Sequence, residues 1–147
     1  NEKSIVVLTW WSYKCPWSRG CDPYFNQLAK EYSKKGVLLL AIDSNKPAVD
    51  PPDGIKAYCE ENKIVFPVLI DPGNKIADIY GAKQTPEVYV IDKEGTVRYH
   101  GAPDSRDSIK KAGEEDYVRA AVDALLAGAE VEKKGSKAFG CTIKRVQ

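Results

Sequence analysis

Cys15-Pro16-Trp17-Ser18 is the segment whose residue types are best suited to chemistry. A cysteine at a strand-to-helix junction sees unpaired backbone N–H groups and the positive end of the helix dipole, and both favour thiolate over thiol. The thiolate is the nucleophile in disulfide exchange, so this position points to redox chemistry more than to packing. Pro16 suits a first helical turn, where its missing N–H removes no bond. The place for a second thiol, three residues after Cys15, holds Ser18. A hydroxyl cannot form a disulfide, but it can donate a hydrogen bond to the Cys15 thiolate. Trp17 flanks the thiol and offers an apolar platform to a partner.

The flanking sequence supplies the elements that such a cysteine needs. Residues 5–11 are a β-branched and aromatic run and read as a buried strand, with Trp10 or Trp11 pointing into the core by alternation. The chain after Cys15 reads as mostly helix up to Lys35, with Gly36 as its stop. Residues 37–42 are continuously apolar and predict a central strand buried on both faces. A proline-rich loop over 44–53 leads to a helix capped by Asp53 and running through Lys63. Residues 66–70 predict a short strand, and Asp71-Pro72-Gly73-Asn74 a turn into a short helix over 75–80. Residues 87–91 and 96–100 flank Asp92-Lys93-Glu94-Gly95 as a hairpin. Residues 114–128 predict an amphipathic helix packed on the sheet. The order β-α-β-α-β-α-β-β-α is that of an α/β protein with a central mixed sheet and helices on both faces. Residues 1–147 read as a single domain in which 129–147 form a polar tail.

Composition excludes several classes. With 22 basic and 21 acidic residues, the charge balance gives no case for nucleic acid or an anionic membrane surface. No apolar stretch approaches the ~18 residues of a spanning helix, and Asn1 does not begin a signal-peptide pattern. The sequence holds no Met, which reads as a processed or trimmed product. Four cysteines without a Cys-x-x-Cys, and His100 as the one histidine, argue against structural zinc and covalent haem, so no cofactor is expected.

Taken together and in order, several segments resemble the thioredoxin fold, most closely its redoxin branch. That branch holds the alkyl hydroperoxide reductase/thiol-specific antioxidant (AhpC/TSA) proteins and thiol–disulfide oxidoreductases. The resemblance rests on Cys15-Pro16, Leu28-Ala29-Lys30-Glu31-Tyr32, Gly36-Val37, Ile42-Asp43-Ser44-Asn45 and Phe66-Pro67-Val68. It continues through Tyr80-Gly81-Ala82, Thr85-Pro86-Glu87-Val88, Leu125-Leu126-Ala127-Gly128 and Gly140-Cys141-Thr142-Ile143. Such proteins usually carry a short strand or hairpin before the first core strand, so the start looks clipped. The resemblance implies that Pro86 follows a cis peptide bond and faces Cys15. It also implies that the Thr85 backbone is free to pair with an extended substrate, beside Pro16, Trp17, Ser18 and Glu87. Partners would be protein or small-molecule thiols and disulfides, with peroxide as an alternative oxidant. An extracytoplasmic compartment is favoured.

The remaining thiols divide by what they could do for Cys15. Along an ideal helix Cys21 is about 120° away in direction and about 9 Å further along the axis, too far for a disulfide. If the regular helix begins only at Asp22-Pro23, an irregular 15–21 segment could bring the two thiols together. Cys59 reads as a packed or half-exposed thiol inside a helix. Cys141 belongs to the tail motif of the resembled proteins. There it either folds back to resolve Cys15 or anchors the tail.

Three activities remain open at this point. A thiol peroxidase of this fold carries Pro-x-x-x-Thr/Ser-x-x-Cys; Ser12 matches its hydroxyl, but Leu8 stands at the proline position. Arg98, Arg106 and Arg119 are candidates for its peroxide-polarising arginine. Thioredoxins carry a buried carboxylate where this chain has Thr9, which leaves Glu87 as the nearest candidate base, or else a solvated strand residue. His100 reads as an exposed strand position. The favoured reading is disulfide exchange by Cys15, ahead of a peroxidase resolved by Cys141 or an external thiol. A non-catalytic binding module using the Trp17/Pro86 surface is the third.

Overall fold

The computed structural model describes residues 4–145; the expectations for Asn1 and for the last two residues of the tail lie outside them. Five strands form one sheet in the order β3-β2-β1-β5-β6. They are β1 (Ile5–Trp10), β2 (Val37–Asp43), β3 (Val68–Ile70), β5 (Glu87–Ile91) and β6 (Val97–Gly101). β1 runs parallel to β2 and antiparallel to β5, so it sits at the centre, where its β-branched side chains pack on both faces. The helices are α1 (Pro16–Tyr32), α2 (Pro52–Glu61), α3 (Lys75–Tyr80) and α4 (Tyr117–Leu126). A second, two-stranded sheet pairs β4 (Gln84–Thr85) antiparallel to β7 (Cys141–Thr142).

The larger core cluster joins Val7, Trp11, Phe25, Leu28, Val88 and Val122 with their neighbours. The smaller one, around Leu8, Trp10, Ile42, Ala77, Ala82 and Tyr89, is closed by Ile143 of the tail. Both tryptophans are therefore buried, one in each cluster, where the sequence pattern asked for only one. Their ring N–H groups are matched: Trp10 donates to Ser44 Oγ and Trp11 to Asp22 Oδ1, each at 2.8 Å.

Several boundaries differ from the sequence pattern for local reasons. α1 runs unbroken through Pro23, so no irregular segment separates Cys15 from Cys21. Asp22, just before that proline, accepts from Trp11 and from Tyr58 (2.5 Å), which ties this turn to its surroundings. Asp53 lies in the first turn of α2 without capping it; Pro51 is the cap residue and Pro52 begins the helix. β2 is less enclosed than its composition suggests, with Leu38 44% exposed where α3 is too short to cover the sheet. β3 is only three residues long, with Leu69 and Ile70 exposed. α4 begins at Tyr117, capped by Asp116, whose carboxylate accepts from the Arg119 amide.

Candidate functional site

Cys15 is the N-cap residue of α1, in an extended conformation (φ −81°, ψ 118°), with Pro16 opening the helix. The first-turn amides of a helix have no intrahelical partner, so they and the dipole point their positive character at this residue. Cys15 is 4% exposed and its Sγ lies 3.3 Å from the Thr85 carbonyl oxygen, which places it against the turn between β4 and β5. The Thr85-Pro86 bond in that turn is cis. Ser18 is buried, and its hydroxyl accepts from the Ser12 amide at 3.1 Å. This orients Ser18 to hold the turn before Cys15, a role the sequence did not suggest.

The sulfur of Cys15 is bonded to that of Cys141, across a Cα separation of 5.9 Å. The tail reaches it as a strand: Thr85 pairs with Cys141 and Gln84 with Thr142. The Ile143 amide donates to the Lys83 carbonyl at 2.9 Å, and Thr85 Oγ1 to the Cys141 carbonyl at 3.5 Å. Trp17 is half-buried because Phe139 of the tail packs on it, with ring centroids 5.0 Å apart. The apolar platform expected at Trp17 is thus occupied by the protein's own tail. Neither β4 nor β7 was legible in the sequence, since two-residue strands carry no alternation to read.

Cys21 takes no part in this bond. It is a free thiol, fully buried in the larger cluster, and burial pushes it up to about 12, so it stays protonated. The pairing of Cys15 with Cys21 considered from the sequence is replaced by the pairing with Cys141, because the helix already starts at Pro16 and aims Cys21 at the core. Cys59 is free and half-buried, and burial raises it too.

Glu87 is 4% exposed and not a solvated strand residue. Its Oε1 accepts from the Lys83 and Gln84 amides at 2.9 and 3.0 Å, fixing the loop that ends in Pro86. Its Oε2 accepts from Tyr89 Oη at 3.2 Å and lies 2.5 Å from His100 Nε2. His100 is an exposed position of β6, as expected, and its ring stacks on Tyr89 at 4.0 Å between centroids. Its backbone bonds Lys134 and Ser136, which carries the tail past β6 toward Cys141.

Two aspartates lie behind the turn, Asp43 from a segment that carries the resemblance and Asp50 from the proline-rich loop. Asp43 and Asp50 are 1% and 3% exposed, and among the described residues Asp43 Oδ2 and Asp50 Oδ1 meet no donor. Burial and the facing Asp50 side chain push Asp43 up to about 9, so Asp43 is protonated at neutral pH. Asp50 accepts from Ser12 Oγ at 2.7 Å and Asn45 Nδ2 at 2.8 Å, while Asn45 Oδ1 accepts from the Lys144 amide. The pair therefore connects the turn before Cys15 with the tail after Cys141. For Asp50 the proline-rich composition of its loop was the only signal. Thr9, at the position of the buried carboxylate in thioredoxins, is fully buried and donates to the Trp10 carbonyl.

The candidate arginines are committed elsewhere. Arg98 pairs with Asp92 at 2.6 Å, Arg106 with Asp104 at 2.8 Å, and Arg119 with Asp116 at 3.0 Å and with Glu31. Ser12, the one match to the peroxidase pattern, donates its hydroxyl hydrogen bond to Asp50. Among the described residues no group of three or more His, Cys, Asp or Glu is placed to hold a metal. No helix there is long and apolar enough to cross a membrane.

A family model described as AhpC/TSA matches residues 1–100. The chain is 34% identical over 95 residues to a thiol-disulfide oxidoreductase, ResA, of Bacillus thuringiensis. That match covers 63% of this chain and 51% of the relative, so the chain spans about half the length of the curated relatives it matches. Among solved structures, an uncharacterized conserved protein from Geobacillus kaustophilus superposes with a TM-score of 0.90 at 32% identity, covering 98% of this chain and 78% of that one. The fold is also that of a thioredoxin-like protein solved in its oxidized form (TM-score 0.69, 22% identity, 87% of this chain and 81% of that one).

Proposed function

The chain belongs to the AhpC/TSA family, and on that premise we propose that it is a thiol–disulfide oxidoreductase in which Cys15 is the nucleophile and Cys141 the resolving thiol. The observation that carries this reading is the Cys15–Cys141 bond itself, formed at the N-terminus of α1 and against the Thr85 carbonyl. In the reduced protein the Cys15 thiolate is favoured by the open amides of α1. It attacks one sulfur of a substrate disulfide; a mixed disulfide forms and the second substrate sulfur leaves as thiolate. Cys141 then attacks Cys15, forming the internal bond and releasing the first substrate sulfur. Thr85, Pro86, Trp17 and Pro16 line the approach to Cys15, and Ser18 and Glu87 hold the turns on either side.

The partners in this reading are proteins or small molecules that carry thiols or disulfides. The ResA relative's name and the chemistry of the site both support that class. An extracytoplasmic compartment fits, since disulfides persist where the surroundings are oxidising. Peroxide reduction is not favoured, because Ser12 and the three arginines are engaged as described above.

The test is to mix reduced protein with an activated small disulfide and follow both sulfurs. Wild type is expected to release both halves of the reagent and to end with Cys15 bonded to Cys141, identified by peptide mass spectrometry. Cys141→Ser is expected to stop at a mixed disulfide on Cys15. A wild-type protein whose Cys15 stays unlabelled and unoxidised would overturn the reading.

A further inference from the structure

Exchange by Cys15 requires Cys141 to leave and return in every turnover, so the reaction depends on what keeps the tail in place while the disulfide is open. Upstream of Cys141 the tail is tied to β6. The His100 amide donates to the Lys134 carbonyl at 3.1 Å, and the Ser136 amide to the His100 carbonyl at 3.2 Å. Downstream it is tied three residues after the cysteine. The Lys144 amide donates to Asn45 Oδ1 at 2.6 Å, and the Lys144 carbonyl accepts from the Lys46 amide at 2.7 Å. Lys144 is exposed, so these two backbone bonds, and not apolar burial, carry the contact.

Asn45 is itself fixed on two sides. Its amide donates to Asp43 Oδ1 at 2.9 Å and its Nδ2 to Asp50 Oδ2 at 2.8 Å, which leaves Oδ1 to face Lys144. Asp50 Oδ2 also accepts from Ser12 Oγ at 2.7 Å. Ser12 Oγ accepts from the Lys14 amide at 3.2 Å, and the Ser12 carbonyl from the Cys15 amide at 3.4 Å. One side chain thus refers the tail that carries Cys141 to the turn that carries Cys15. Asp43, protonated where it faces Asp50, lets the two side chains share this buried space without like-charge repulsion.

Resting on the exchange reading above, we propose that Asn45 is a positioning residue for the resolution step, holding the tail in register so that Cys141 meets Cys15. Its hydrogen bonds reach neither sulfur, and attack of the Cys15 thiolate on an incoming disulfide does not use them. The effect falls on the second step. There the Cys141 thiolate attacks Cys15 Sγ, the internal disulfide forms, and the substrate sulfur on Cys15 leaves as thiolate. Because this step is intramolecular, its rate scales with the effective concentration of Cys141 at Cys15, which a tail tied on both sides raises.

The experiment mixes reduced, full-length protein with one equivalent of the glutathione–thiopyridine disulfide. Thiopyridone release times the first step. Acid-quenched peptide mass spectrometry times the second, as glutathione on Cys15 gives way to the Cys15–Cys141 bond. Asn45→Ala removes the acceptor of the Lys144 bond, and Lys144→Pro removes its donor from an exposed position. Each is expected to leave the first step within about twofold of wild type and to slow the second about tenfold or more, the scale of a lost orienting contact. Val122→Ala, a truncation in the larger core cluster, is the stability control and is expected to spare both steps. An unchanged second step in either tail variant, or equal slowing of both steps, would overturn the positioning role while leaving exchange intact. Equal slowing of the second step by Val122→Ala would do the same. A wild type that takes up no glutathione on Cys15, or never converts it to the internal bond, would overturn exchange and the positioning role together.

Discussion

Cys15 and Cys21 are six residues apart on one stretch of chain and meet opposite surroundings. Cys15 caps the helix, touches the Thr85 carbonyl and is bonded to a residue from the far end of the sequence. Cys21, inside the same helix, is enclosed by the larger apolar cluster and is pushed up to about 12. Residue type is the same; what differs is access to open helix amides against desolvation. Thiol chemistry in this protein is therefore a property of position, and each thiol can be tested against the other.

The largest contrast comes from serine substitution. Cys15→Ser is expected to remove disulfide exchange, by ~10³-fold or more as for loss of a nucleophile. Cys21→Ser should leave the exchange rate near wild type while lowering stability by about 1–3 kcal/mol, because it buries a more polar group. A rate assay paired with urea denaturation measures both; equal losses of activity would erase the distinction between the two positions.

Next in size is reduction of the internal bond. Cys15 and Cys141 are 126 residues apart, and closing a loop of that size restricts the unfolded chain by up to about 5 kcal/mol in the entropic account. The oxidised protein should thus unfold at higher denaturant than the reduced one, whereas alkylating Cys59 should shift the midpoint little. A midpoint insensitive to reductant would show the tail to be held by its non-covalent contacts alone.

A third effect is pH-dependent and comes from the carboxylates behind the two helix positions. Asp22 beside Cys21 is raised to about 6 and Asp43 to about 9, both chiefly by burial. The folded protein keeps these protons where the unfolded chain, with Asp near ~3.9, has lost them. Their contribution is thus most favourable at low pH and declines as pH rises. Both groups contribute to the decline between about 4 and 6, and Asp43 alone continues it to about 9. Asp43→Asn, which keeps a donor toward Asp50, should flatten the upper part, and urea midpoints from pH 6 to 9 read this directly. The smallest effect expected is that of Phe139→Ala, a severalfold faster alkylation of Cys141 in the reduced protein as the tail loosens from Trp17.

The sequence reads well where a pattern is long and poorly where it is short. β1, α1, α3 and the β5–β6 hairpin follow from runs of apolar residues and from Gly36, Gly81 and Gly95 at positive φ. At the site, Cys15, Pro16, Thr85 and Pro86 could be singled out because motif and junction coincide. Glu87 could not be distinguished from a solvated residue, since its burial depends on Tyr89, His100 and two amides meeting it from separate segments. The partnership of Asp43 with Asp50 likewise exists only after a proline-rich loop turns back on itself, and the seat of Phe139 only after the tail crosses the molecule.

β4 has one further consequence, for self-association. When the tail leaves, β4 is an open strand edge, the type of surface that recruits strands from other molecules. Here the hazard is contained by length. β4 is two residues long and is followed at once by Pro86, which has no N–H to extend a ladder. The opening can therefore hold a visiting strand in place for chemistry, and it is too short to template a stack of them.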